Sequence, residues 1–196
     1  MVAADRDRWN TKWAEAGRGT THGSTLIDLV TTYLPSTGTV LDIAGGGSPN
    51  SLMLARRGLA VTVADISDVG LAQARQQAQA EDLLVHALEI DFDHQTLPNQ
   101  QWDVITVSNY LNRDLLGRLP SRLAHHGIIA VVIATTTNLE RHDRPGPEHL
   151  VALGELPKLV TDATVHQHKV ELVDYHESWR ANGRHEAHLI GRKISE

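Results

Sequence analysis

Apolar residues follow two periods along this chain. Short runs rich in Val, Ile and Leu alternate with stretches whose apolar positions recur three and four apart, the alternation that builds a mostly parallel sheet flanked by helices. Residues 6–16 suit a helix, with Trp9 and Trp13 four apart on one face, and residues 24–34 suit a second, stopped by Pro35. The run TVLDIA (39–44) predicts a buried strand, GGGSPN a turn, and SLMLARRG (51–58) a helix ending at glycine. LAVTVAD (59–65) predicts the next strand, followed by a helix over 67–80 with Ser67 as its N-cap. LLVHALEI (83–90), WDVITVS (102–108) and GIIAVVIA (127–134) continue the strands. Leu115, Leu116, Leu119 and Leu123 form a helical stripe, with Pro120 in the helix's first turn. His125-His126 is then expected at a helix end, where the dipole favours it. An irregular charged stretch (135–149) precedes one more short helix within LVALGELPKLV. The last two runs, 164–175 and 184–194, are too polar for strands buried on both faces and predict an antiparallel hairpin at the sheet edge.

Composition narrows the class. At 196 residues the chain is expected to form one domain, 1–196, with no repeat or low-complexity tract to divide it. Its 18 basic and 24 acidic residues leave a net charge of -6, and no basic run offers a nucleic-acid surface. Zero cysteines removes disulfides, thiolate nucleophiles and cysteine metal sites. The opening MVAADRDRWN lacks the apolar core of a secretion signal, and no stretch approaches the ~20 apolar residues of a bilayer span. A cytoplasmic protein with no membrane partner is expected; oligomeric state is not legible.

The chemistry concentrates in LDIAGGGSPN, where a strand turns into a helix. Glycines there let a ligand approach the backbone, in the crevice beyond the strand's carboxyl end where open α/β folds bind ligands, although a tight turn alone would use them too. Two acids accompany the turn: Asp42 precedes it, and Asp65 ends the next strand 19 residues after Gly46. A carboxylate in the second position can accept from both hydroxyls of a ribose. As an N-terminal helix charge Asp65 would be redundant, because Ser67 already offers the cap.

The stretch LDIAGGGSPNSLMLARRGLAVTVADIS resembles motifs I and II of the small class I methyltransferases that use S-adenosylmethionine (SAM). RDRWNTKWAEAG resembles the N-terminal aromatic helix of their tellurite-resistance-like branch, EIDFDHQTLP the acid-containing turn after strand three, and WDVITVSNYLNRDLL the segment after strand four. RPGPEHLVALGELPKLV resembles that branch's late loop and GEL helix. The resemblance implies a three-layer Rossmann-like sheet of about seven strands, mostly parallel, with a terminal antiparallel hairpin and N-terminal helices (1–35) covering the cofactor. It implies that Asp42, Ala44, Gly45 and Gly46 line the methionine end of SAM, Asp65 holds the ribose and Ile66 meets the adenine. Asp91 would accept from the adenine amino group, and Phe92 would add a backbone amide and an apolar wall. Ser108 and Asn109 would face the methionine moiety, and Trp9 and Trp13, a packing stripe first, could close over the cofactor. The loop departs from the family pattern at Ala44 and at Ser48-Pro49, where glycines are usual.

Methyl transfer from a sulfonium rests largely on positioning, so no catalytic dyad need appear. The acceptor is expected to be a small molecule, covered by residues 110–114 and 135–149. Tyr110, Arg113 and Arg144, with Arg141 and His142, are its candidate contacts, and three arginines suit an anionic or strongly polar acceptor. Histidines 166, 168, 185 and 188 read as exposed strand residues, since no third or fourth metal ligand is identifiable. Three competitors remain. A nicotinamide oxidoreductase would want glycine where Asn50 stands, an aminopropyltransferase would want an acid-rich acceptor site, and a silent SAM-binding domain would lack turnover.

Overall fold

The computed structural model describes residues 2–16, 25–162 and 169–194. Ser24, residues 164–168 of the penultimate run, and with them His166 and His168, lie outside the described residues. Helix α1 (Val2–Ala16) leads to α2 (Thr25–Val30), which tightens into a 3-10 turn (Thr31–Tyr33) before Pro35. Strand β1 (Thr39–Ile43), α3 (Pro49–Ala55), β2 (Ala60–Asp65), α4 (Asp68–Ala80) and β3 (Val85–Glu89) follow. Strand β4 (Trp102–Ser108), α5 (Arg113–Arg118), β5 (Leu123–Ala134), α6 (Glu155–Thr161), β6 (Lys169–Trp179) and β7 (His185–Ile194) complete the chain.

One seven-stranded sheet runs in the order β3-β2-β1-β4-β5-β7-β6. The first five strands pair in parallel, and only β7 runs against its neighbours. This is the class I methyltransferase fold that the sequence implies. One face buries Leu26, Ile27 and Val30 of α2 and Leu54 and Ala55 of α3 against Val40, Val104 and Val132. The other buries Leu115, Leu116, Leu156 and Val160 of α5 and α6 against Leu41, Ile105, Val131 and Leu189. The strand order reverses between β1 and β4, which opens a crevice at their carboxyl ends.

Three local expectations change. Pro120 opens a 3-10 turn (Leu119–Arg122) after α5 rather than the helix itself, and Leu123 already belongs to β5. His125 and His126 sit exposed within β5, beside a register shift that sets Leu123 against Trp102 and Ile128 against Val104. The extra residues of that bulge are taken up there, with His126 at φ 60. The terminal hairpin stands at the sheet edge as expected, with β6 outermost, but β7 lies between β5 and β6 and is almost wholly buried, so His185 and His188 are buried and not exposed. Its polar residues are paired inside, Lys193 Nζ donating to the Leu123 carbonyl at 2.7 Å and His188 meeting Glu186 at 3.2 Å.

Candidate active site

The glycine turn occupies the carboxyl end of β1. Ala44 stands at φ 51 and Gly46 at φ 46, left-handed values that relieve any side chain only when it is absent. At Gly45 a Cβ would stand 2.5 Å from Asp42 Oδ2 and 2.8 Å from Val63 Cγ2, so this residue must be glycine for the turn to close on β1 and β2. A Cβ on Gly46 would stand 2.6 Å from the Trp13 indole, which also packs on Gly47 and Gly70. The turn therefore makes room for α1. Asn10 fixes the same helix: it accepts from Ser67 Oγ at 2.6 Å and donates to Asp68 Oδ1 at 2.8 Å. Gln73 Nε2 donates to the Trp13 carbonyl at 2.8 Å. Trp9 is turned to its own helix instead, with Lys12 Nζ 4.4 Å from its ring centre. The departure at Ser48-Pro49 has a local cause. Ser48 caps α3 by accepting from Asn50 N at 3.3 Å, and Pro49 fills the first helical position, so glycine has no function there.

Two buried carboxylates flank this turn. Asp42 is 1% exposed and accepts from Thr106 Oγ1 at 2.8 Å. Its Oδ2 has no well-formed hydrogen bond, although the Ser51 hydroxyl, which reaches the Ser48 carbonyl only at 3.5 Å, stands near enough to favour the charged form. Burial pushes Asp42 up to about 7, against the opposing pull of the Thr106 and Ser51 hydroxyls. Asp65 is 6% exposed at the end of β2 and accepts from Ser67 N at 2.8 Å. Burial raises it to about 6, opposed by the backbone N–H groups of Ser67, Gly46 and Ile66. Among the described residues no Lys, Arg or His forms an ion pair with either.

After β3, Asp91 is buried and accepts from Asp93 N at 3.0 Å, while its other oxygen meets His94 Nδ1 at 2.9 Å. Phe92 is buried with its ring 5.7 Å from that of Tyr110. Burial pushes the Tyr110 hydroxyl up to about 12, and the carboxylates Asp93, Asp91 and Asp65 add to it, so Tyr110 stays protonated at neutral pH and is a donor, not a base. The arginines expected around an acceptor do not converge. Arg113 forms a two-pronged pair with Glu155, at 2.5 and 3.1 Å, and donates to the Leu150 carbonyl at 3.2 Å. Arg141 lies 3.8 Å over the Trp179 ring, and His142 meets the Gly183 carbonyl at 2.7 Å. Arg144 is exposed in the loop.

A cavity of ≈ 410 Å³ opens instead on the α2 face of the sheet. Ser108 and Asn109 line it from the end of β4, Val132 from β5, Thr25 from the start of α2, and Asn182, Arg184 and Glu186 from the β6–β7 turn and β7. Asn109, at φ 55, is held by its N–H on the Val132 carbonyl at 2.8 Å. Except for Ser108 and Asn109 these residues escape sequence reasoning. Their only signal, Asn182-Gly183-Arg184, is that of an ordinary turn.

The crevice, the glycine turn and its two acids stand in a sheet with the class I methyltransferase fold. Residues 40–127 match the family described as "Methyltransferase domain". No curated protein sequence matches the chain. Among solved structures, TehB from Haemophilus influenzae is 20% identical with TM-score 0.71, the match covering 94% of this chain but 66% of TehB, so this chain spans just under two thirds of that protein. The magnesium protoporphyrin IX methyltransferase ChlM from Synechocystis PCC 6803, solved with bound SAH, is 16% identical over 99% of both chains, with TM-score 0.72. The [4+2]-cyclase SpnF is 14% identical over 100% of this chain and 98% of its own, with TM-score 0.75. No described helix is long and apolar enough to cross a membrane.

Proposed function

We propose that this protein transfers a methyl group from SAM to a small-molecule acceptor. The observation that carries it is the pair of buried carboxylates, Asp42 and Asp65, with no cationic protein partner among the described residues. Burying two such charges is costly unless a cation compensates them. SAM brings both a sulfonium and an ammonium, whereas a nicotinamide dinucleotide would bring a pyrophosphate to the same turn. The donor set fits as well: Asp42 Oδ2, buried without a well-formed hydrogen bond, is left to face the cofactor's cationic end.

Asp65 would hold the ribose hydroxyls, Ile66, Asp91 and Phe92 the adenine, and Ala44–Gly46 with Asp42, Ser108 and Asn109 the methionine end. Helix α1 would close over it through Trp13. SAM supplies an activated methyl on a good leaving group, so the protein's share is alignment of the acceptor and exclusion of water. Tyr110 would orient through its hydroxyl proton.

Calorimetric titration with SAM tests this. Asp65→Ala should weaken binding about tenfold or more, the loss of a charge-assisted hydrogen bond of ~1.5–3 kcal/mol, while the variant melts cooperatively. A folded variant binding as well as the wild type would sink the assignment. Release of S-adenosylhomocysteine with a panel of small amines, thiols, phenols and oxyanions separates an enzyme from a silent domain. That control is needed, because the fold also serves a cyclase.

A further inference from the structure

The cavity beside β7 has a charge pattern that the arginines of the sequence do not lead one to expect. We propose that it is the acceptor pocket, and that Glu186 on its floor selects a small acceptor presenting an ammonium or N–H group rather than an anion. The proposal rests on the methyl-transfer reading above and adds the substrate class.

Position comes first. Asp42, Thr106, Ser108 and Val132 stand on one face near the carboxyl ends of β1, β4 and β5, and Glu186, at the amino end of the antiparallel β7, shares that face and that end of the sheet. Adjacent strands lie about 4.8 Å apart, so the cavity begins one strand from the proposed methionine end of the cofactor. Ser108 and Asn109 border both. Its ≈ 410 Å³ falls among small-ligand pockets, which run about 300–1,000 Å³.

The floor is negative. Glu186 is 3% exposed; one carboxylate oxygen accepts from Asn182 Nδ2 at 3.3 Å and the other meets His188 Nε2 at 3.2 Å. Burial pushes this carboxyl up, but those two hydrogen bonds, with the charges of His188 and then Arg184, outweigh burial and hold it below its ordinary value, hence ionised. Arg184 does not neutralise it by contact: the exposed guanidinium reaches Asn109 Oδ1 at 3.4 Å, on the rim. The rest of the lining is neutral and polar apart from Val132. An anion entering would meet a buried like charge, whereas an N–H donor would meet an ionised acceptor fixed by its two partners.

The test uses the full chain saturated with S-adenosylhomocysteine, with benzylammonium and benzoate as size-matched probes followed by NMR shift changes. The wild type should bind benzylammonium about tenfold or more tighter than benzoate. Glu186→Gln should erase that preference and leave S-adenosylhomocysteine affinity unchanged. Thr25→Phe, which fills the mouth from the partly exposed start of α2, should abolish probe binding with the melting temperature preserved. Equal or tighter benzoate binding, no shifts with either probe, or a preference surviving in Glu186→Gln overturns the proposal. Should Glu186→Gln not fold, undiminished ammonium binding in Thr25→Phe overturns it. Failure of the wild type to bind SAM or S-adenosylhomocysteine defeats the parent reading separately, and the probes are then read on the unliganded protein.

Discussion

Ala44 carries a small local cost that its neighbours avoid. Its φ of 51 is left-handed, which costs an L-residue with a Cβ roughly 1–2 kcal/mol. The family pattern places glycine here. Ala44→Gly should relieve the strain, partly offset by ~0.4–1 kcal/mol of added chain entropy in the unfolded state. The expected net gain is about 0.5–1 kcal/mol, read as a rise of roughly 1–4 °C in the melting temperature of a chain this size. A fall would show that the Ala44 methyl packs usefully. Sequence pattern served well at this scale where backbone geometry repeats: Gly45, Ser67 and Asp65 stand at the turn, the cap and the strand end that their residue types predict. It failed at Ser48, where a missing glycine proved to be an ordinary helix cap at φ -62.

Whole elements were legible when their polarity matched their depth, as β1, β2, β4 and α4 show. The burial of strand β7 was not legible, because its polar residues find their partners inside the fold. His185 bonds Thr135 Oγ1 at 2.7 Å, His188 bonds Glu186, and Lys193 reaches back to Leu123 across 70 residues. Nothing in a period-2 pattern records such partners. Arg113 had its partner hidden from the sequence in the same way. Its place after β4 suggested substrate contact, but its fork binds Glu155 and ties the start of α5 to α6. The guanidinium is raised further by that hydrogen bond and Glu155 lowered by it. Arg113 is 45% exposed and Glu155 22%, so solvent screens the pair, and Arg113→Ala should cost only about 0.5–1 kcal/mol of stability. Glu155→Ala should cost a similar amount, the double variant less than the sum, and SAM affinity should not move in any of them. A selective loss of turnover at intact stability in Arg113→Ala would return this residue to the acceptor.

Across the whole molecule, Asp42 and Asp65 make stability and ligand binding respond to pH in opposite directions. An unfolded aspartate titrates near ~3.9, and burial raises these two to about 7 and about 6. The stability they contribute is therefore fully present below about pH 4 and lost as pH rises through 6 and 7, because the folded chain must then hold two buried negative charges. At ~1.4 kcal/mol for each tenfold change, the pair is worth of order 4 kcal/mol between pH 5 and 8. The lowered carboxylates Glu81, Glu155 and Glu186 work the other way, but only below the ordinary glutamate range, and His176, lowered by burial, offsets part of the trend below its ordinary value. The unliganded protein should thus melt several degrees higher at pH 5 than at pH 8, and Asp42→Asn should flatten that slope by removing the larger contribution. A ligand that brings cationic groups to the Asp42 side and ribose hydroxyls to Asp65 reverses the preference, since it gains most when both carboxylates are ionised. SAM affinity should rise from pH 5 to pH 7.5 and then level off, while its stabilisation of the fold grows over the same range. Calorimetry of the free and SAM-saturated protein at five pH values reads both trends at once. Parallel slopes, with SAM binding no better at pH 7.5 than at pH 5, would show that these buried acids serve the turn and not the cofactor's charge.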